Sequence, residues 1–191
     1  WLRGAWSSTK PDERRAAVDD FKRCIDVARE IGAPRITNCP LNDGIDYAFE
    51  LDFARAYDTA AECFAEIADH DPSFQICIEY KISEPRVRSL LGNAGETAAF
   101  CQIVNRDNLG VTLDVGHALF ANENASQSAA LLAMARRLFY VHLNDNDGRA
   151  DRSVVFAEKL SYPTSIAPFR DGVIVVAPPE IVFLKDTNGD G

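Results

Sequence analysis

Val111-Thr112-Leu113-Asp114-Val115-Gly116-His117 is a short apolar run that ends on an acid, with a histidine three residues further on. Two similar runs flank it, Ile76-Cys77-Ile78-Glu79 before and Phe139-Tyr140-Val141-His142 after. Their polar ends, Glu79, Asp114 and His142, recur at intervals of roughly 30 residues, the length of one strand plus one crossover helix. The spacing predicts successive parallel strands that deliver metal-type donors to the same end. In a β/α barrel the C-terminal end of the strands is where the chemistry is done.

Strand alternation sorts the side chains. Ile76, Ile78 and Tyr80 share one face, and Cys77, Glu79 and Lys81 the other. Val111, Leu113 and Val115 oppose Thr112 and Asp114. Phe139, Val141 and Leu143 oppose Tyr140, His142 and Asn144. Each strand thus has an apolar face for helices and a mixed face with a candidate ligand. Two carboxylates and an imidazole suit Mn²⁺, Mg²⁺, Co²⁺ or Zn²⁺.

Working outward, helical periodicity covers 12–31 (Val18, Phe21, Ile25, Ala28, Ile31), 53–67, 96–104 and 126–134. Strands are expected at 35–39, 75–81, 109–115 and 138–143, and Asn42-Asp43-Gly44 reads as a turn. Strands alternating with helices imply β-α-β units and a parallel sheet. The fold class is α/β, a partial (β/α)8 barrel of about four parallel strands over residues 1–151, since a complete barrel takes about 250 residues and the chain has 191. The start of the chain reads as a cut into a longer one. Residues 152–191 change character. Short β-like runs (154–160, 172–177, 181–185) are punctuated by prolines, which predicts a β-rich tail. Its end, Asp186-Thr187-Asn188-Gly189-Asp190-Gly191, has the opening spacing of a calcium loop but reads as a polar turn.

Bulk properties exclude several classes. The formal net charge is −9, which disfavours nucleic acid and anionic membranes. No apolar run nears the roughly 20 residues that span a bilayer. The five cysteines, Cys24, Cys39, Cys63, Cys77 and Cys101, are odd in number and lack Cys-x-x-Cys spacing, so reduced core residues and a cytoplasmic setting are expected. A homo-oligomer is compatible with all of this.

Around the trio, Gly116 is expected to turn the chain off its strand so that His117 looks back into the mouth and contacts substrate. Lys81, on the Glu79 face, can polarise a substrate oxygen or keep Glu79 ionised, or it pairs with Glu84 at the surface. Asn38 ends the first strand and is expected to line the mouth. Arg86 and Arg149 are weaker candidates for a substrate hydroxyl or phosphate. His70, between Asp69 and Asp71, reads as a solvated residue at a helix C-terminus.

At Ile36-Thr37-Asn38-Cys39-Pro40, Ile78-Glu79-Tyr80-Lys81 with Glu84-Pro85-Arg86, Leu113–His117 and Val141-His142-Leu143-Asn144-Asp145, the chain resembles the sugar phosphate isomerase/epimerase family, the xylose-isomerase-like TIM barrels. The resemblance covers roughly residues 1–151. It implies a divalent metal held by Glu79, Asp114, His142 and a late-strand glutamate, with His117 on substrate and Glu79 doubling as a proton-transfer base. The implied reaction is isomerisation or epimerisation of a sugar or sugar phosphate through a metal-stabilised enediolate. Glu158 and Glu180 follow His142, but in sequence unlike the barrel, and neither is assigned as the late ligand. The tail is similar to the β-propeller of planctomycete-type membrane-bound dehydrogenase-like proteins. Asp147-Gly148-Arg149-Ala150-Asp151 fits both families, which suggests a chimeric junction there. Two rival functions follow: a propeller binding or scaffold module, and an endonuclease IV-like barrel that cuts abasic DNA. The second needs more histidines than the three present and a basic groove.

Overall fold

The structure, a computed structural model, describes residues 5–40, 51–83, 88–144, 165–177 and 180–185. The chain divides into two compact units, Trp1–Asn146 and Asp147–Gly191.

In the first unit the elements run α1 (Pro11–Glu30), β1 (Arg35–Asn38), α2 (Phe53–His70), β2 (Gln75–Glu79), α3 (Ala94–Val104), β3 (Leu109–Asp114), α4 (Val115–Phe120), α5 (Ala125–Met134) and β4 (Leu138–His142). Local chemistry sets the helix starts. Pro11 opens α1, with Asp12 and Glu13 in its first turn. Asp52, Asn93 and Asn124 cap α2, α3 and α5 by accepting backbone N–H groups. α1 and α2 bury the stripes Val18, Phe21, Ile25 and Ala60, Phe64, Ile67.

The four strands form one parallel sheet in the order β1-β2-β3-β4. Ile76, Ile78, Val111 and Leu113 are buried with Phe64, Phe74 and Phe100 in a single core. Trp6 joins it against Phe21 and Phe64, with ring centroids 5.9 and 4.9 Å apart. This is the α/β fold of a partial TIM barrel. The sheet curls: the Arg35 guanidinium of β1 lies 5.0 Å from the Tyr140 ring centroid of β4, although these are the sheet's two outer strands. None of the five cysteines forms a disulfide. Among the described residues no helix is long and apolar enough to cross a membrane.

Two local features depart from the sequence expectation. First, α4 begins directly after β3. The Asp114 carboxylate caps it by accepting the His117 N–H at 2.9 Å, so helix initiation, rather than a turn at Gly116, takes the chain off the strand. Second, β4 carries a bulge. Val111 pairs with Leu138, but the next residue, Thr112, pairs with Tyr140. The extra residue is Phe139, and its ring lies over Gly110, where an added Cβ would come within 2.3 Å of Cγ. Simple alternation put Phe139 with Val141 on a helix-packed face. The bulge instead frees Leu138 to pack against the core while Tyr140 and His142 still point to the inner face. His70 is exposed at the C-terminal end of α2, as expected, and its Nε2 lies 2.8 Å from Asp26 Oδ1 of α1.

In the second unit β5 (Ser165–Phe169), β6 (Gly172–Ala177) and β7 (Glu180–Leu184) form an antiparallel sheet in that order. The turn between β5 and β6 has Arg170 at φ 53°. Gly172 follows because a Cβ there would sit 2.2 Å from the Leu184 carbonyl oxygen. β5 was not expected because Pro168 read as a breaker. It is tolerated on an outer strand, where a missing N–H costs no ladder bond.

Candidate metal and substrate site

The inner face of the curled sheet is polar and layered. Thr37 and Thr112 hydroxyls lie 3.0 Å apart across β2. Cys77 sits between them, and burial raises its thiol pKa despite hydrogen bonds to both threonines. One layer nearer the C-terminal strand ends stand Glu79, Asp114 and His142, with Cys39 just past β1. The core lies behind the sheet, and the mouth in front of these ends.

Glu79, Asp114 and His142 each place one ligand atom within 4.8 Å of the others. His142 Nδ1 is 3.3 Å from Glu79 Oε2 and 3.6 Å from Asp114 Oδ2. Glu79 is 9% exposed and Asp114 7%. Burial opposes Asp114 ionisation. The Asn144 amide at 2.8 Å, the His117 N–H and the two nearby imidazoles outweigh it and hold the carboxyl below its ordinary range. Two buried carboxylates facing one imidazole form a donor set that a divalent cation fits, since it would neutralise charges otherwise costly to bury.

His117, on α4, turns its ring back to the strands. Nδ1 is 3.0 Å from the Tyr80 carbonyl oxygen and 3.3 Å from Glu79 Oε1. A carbonyl only accepts, so Nδ1 carries a proton, and in the neutral ring Nε2 is the nitrogen with the lone pair. Glu79 therefore offers Oε2 toward His142 and Oε1 toward His117. Behind the sheet the fully buried Tyr80 hydroxyl has its pKa raised, by burial first and then by the Glu123 carboxylate.

The structure brings together Glu79, Asp114, His142 and His117. It does not bring Asn38 to them. Asn38 pairs with Ile78 and alternates with Thr37, which is on the inner face, so it belongs to the helix side with Ile36. The residue that reaches the site from β1 is its neighbour Cys39, within 4.8 Å of Glu79 and His117 ligand atoms. Sequence reading missed it by treating every cysteine as core, although counting two on from Thr37 would have found it. Lys81 shares the Glu79 face by alternation, and its backbone N–H bonds the Leu91 carbonyl at 3.3 Å. Arg149, Glu84, Arg86, Glu158, the junction at 147–151 and the calcium-like end at 186–191 lie outside the described residues.

Similar folds are known. An L-ribulose 3-epimerase is 20% identical, with a TM-score of 0.63 over 74% of this chain and 47% of its own. The 3-keto-D-glucoside 4-epimerase of E. coli is 13% identical, with a TM-score of 0.61 over 76% and 57%. The IolI protein, solved with a bound zinc atom, is 17% identical, with a TM-score of 0.57 over 71% and 46%. The chain spans about half the length of the solved structures it matches. The family model described as xylose isomerase-like TIM barrel matches residues 2–183. The match runs well past residue 151 and takes in the antiparallel sheet, the part whose sequence pointed to a propeller. By that match this chain belongs to the xylose isomerase-like TIM barrel family.

Proposed function

We propose that this chain carries the metal-binding segment of an isomerase or epimerase acting on a sugar or sugar phosphate. The observation that supports this reading is the convergence of Glu79, Asp114 and His142 at adjacent strand ends, in a fold whose solved relatives include sugar epimerases. Glu79, Asp114 and His142 would hold a divalent ion, Mn²⁺, Mg²⁺, Co²⁺ or Zn²⁺. When bound, the ion supplies Lewis-acid stabilisation of negative charge on substrate oxygen.

The chain's own residues account for the rest. Glu79 is placed to take a proton from the carbon next to the substrate carbonyl, using the oxygen turned away from His142. His117 Nε2 accepts from a substrate hydroxyl, held in orientation by the Nδ1–H bond to Tyr80. Asn144 keeps Asp114 ionised and oriented. Lys81 adds positive charge on the Glu79 side, and Arg149 is the proposed contact for a distal hydroxyl or phosphate. The partner is a small sugar, and the net charge of −9 opposes an abasic-DNA substrate.

Calorimetric titration of the full chain with Mn²⁺ tests the site. Binding lost in Asp114→Ala supports it, and equal heats in both proteins defeat it. Incubation with ketoses in D2O tests the chemistry. Deuterium entering the carbon beside the carbonyl supports proton transfer by Glu79, and turnover without deuterium entry points to a hydride shift.

A further inference from the structure

We infer that a cavity between the N-terminal ends of α2 and α3 binds a free α-amino acid with an apolar side chain. The cavity encloses about 450 Å³, within the range of small-molecule sites. Phe53 and Tyr57 of α2, with Ile82 and Leu90 from the segment between β2 and α3, make its apolar wall. Arg88, Ser89 and Glu96 bring polar groups to it. Neither the Glu79, Asp114 and His142 trio nor His117 lines it. Leu90 belongs to the core behind the sheet, so this cavity is separate from the mouth in front.

The charges select the ligand. Arg88 and Glu96 line one cavity, yet no ion pair joins them, and neither has a charged partner among the described residues. The Ser89 hydroxyl oxygen is buried without a hydrogen-bond partner, a costly state for a polar group. A guanidinium, a carboxylate and a hydroxyl set around an apolar wall match a molecule that carries both charges itself. A carboxylic acid without an amine would bring like charge to Glu96, and an amine without an acid would bring it to Arg88. A free α-amino acid pairs both. Its carboxylate takes parallel N–H bonds from Arg88 and one from the Ser89 hydroxyl. Its ammonium donates to Glu96, and its side chain covers Phe53 and Leu90.

The walls are already tied to one another. The Tyr57 hydroxyl donates to the Leu90 carbonyl at 2.9 Å, and the Ser89 N–H to the Ile82 carbonyl at 3.3 Å. The Gly92 N–H donates to Glu96 Oε2 at 3.0 Å, and the Glu96 N–H to Asn93 Oδ1 at 2.9 Å. Glu96 is thereby fixed through one oxygen and offers the other to the ammonium. Such ties lower the ordering cost of binding. This site stands on its own residues and does not depend on the sugar reading.

The test titrates L-phenylalanine and L-leucine calorimetrically into the full chain, with circular dichroism confirming the fold of every variant. Both should bind. 3-Phenylpropionate lacks the ammonium and phenethylamine lacks the carboxylate, and each should bind at least about tenfold more weakly than L-phenylalanine. Arg88→Ala and Glu96→Gln should each weaken L-phenylalanine by a similar factor. Glutamine keeps an acceptor for the Gly92 N–H, so that variant retains the wall and loses only the charge. Ser89→Ala should weaken binding less. No binding of either amino acid to the folded parent, equal affinity for 3-phenylpropionate or phenethylamine, or unchanged affinity in Arg88→Ala or Glu96→Gln overturns the proposal. Asp114→Ala, the variant that tests the metal site, should leave L-phenylalanine binding unchanged, and a loss there overturns it too. The two readings therefore fail separately.

Discussion

β3 and β4 lie side by side, and each carries a candidate ligand at its end, yet they sit in different surroundings. Every residue of β3 is buried. In β4, Tyr140 and Val141 are exposed, and Leu143 just beyond it is 84% exposed. Both strands are written in similar apolar residues. What differs is their place in the sheet: β3 has a strand on each side and helices behind it, whereas β4 is outermost among the described strands. Apolar sequence marks what a strand can bury. The neighbours decide what it does bury, so equal residues in the two strands should have unequal effects.

The sharpest way to break this contrast is a pair of leucine truncations. Leu113→Ala in β3, where the side chain is 1% exposed, should cost about 2–5 kcal/mol. Leu143→Ala should stay within about 0.5 kcal/mol. Urea unfolding of both measures the difference, and equal losses would show that β4 is covered as β3 is.

The seam between the strands comes next. Gly110→Ala sets a methyl against the Phe139 ring and should cost about 1–3 kcal/mol. It should also weaken Mn²⁺ binding, because the bulge that aims His142 must shift. Phe139→Ala in the Gly110→Ala background should recover part of both losses in a double-mutant cycle. Full additivity would mean that the ring and the glycine are not coupled.

A smaller effect is expected where the strand ends are tied. Asn144→Ala removes the hydrogen bond to Asp114, worth about 1 kcal/mol. In the fold the Asp114 carboxyl lies below its ordinary value. Its ionised form thus adds stability above the unfolded pKa, about 3.9, and that stability is lost as pH falls through the lower folded value. Losing Asn144 raises the folded value and narrows the gap, so the metal-free variant should begin acid unfolding at a higher pH than the parent. An unchanged acid limb would place the control of Asp114 elsewhere.

The smallest effect lies away from the strands. Asp71 is held well below the carboxylate range, first by the Arg29 guanidinium and then by Ser73. It too is stabilising at neutral pH and loses this as pH falls through its depressed value. The pair is solvated, so Arg29→Ala should move the acid limb only slightly. A shift as large as that of Asn144→Ala would mean that surface pairing rivals the buried site.

Much of the first unit is legible in sequence because its causes are local. The apolar stripes of α1 and α2 and the runs ending at Glu79, Asp114 and His142 are short-range patterns, and helix and strand periodicity expresses them directly. α4 was missed because Asp114 was read as a donor alone, while its side chain also starts a helix. β5 was missed because proline was taken as a breaker without knowing that the strand is outermost.

Other features exist only once strands pair. That Phe139 is extra, that Leu138 turns to the core while His142 turns inward, and that Cys39 rather than Asn38 meets Glu79 all depend on register. Register is a relation between residues far apart in the chain, set by which side chains fit against which, here a phenyl ring against the bare Cα of Gly110. The sequence by itself determined the strands, the helices and the residue types at the strand ends. Tertiary pairing decided which of those side chains face one another, because alternation has a period of two and a single inserted residue reverses it.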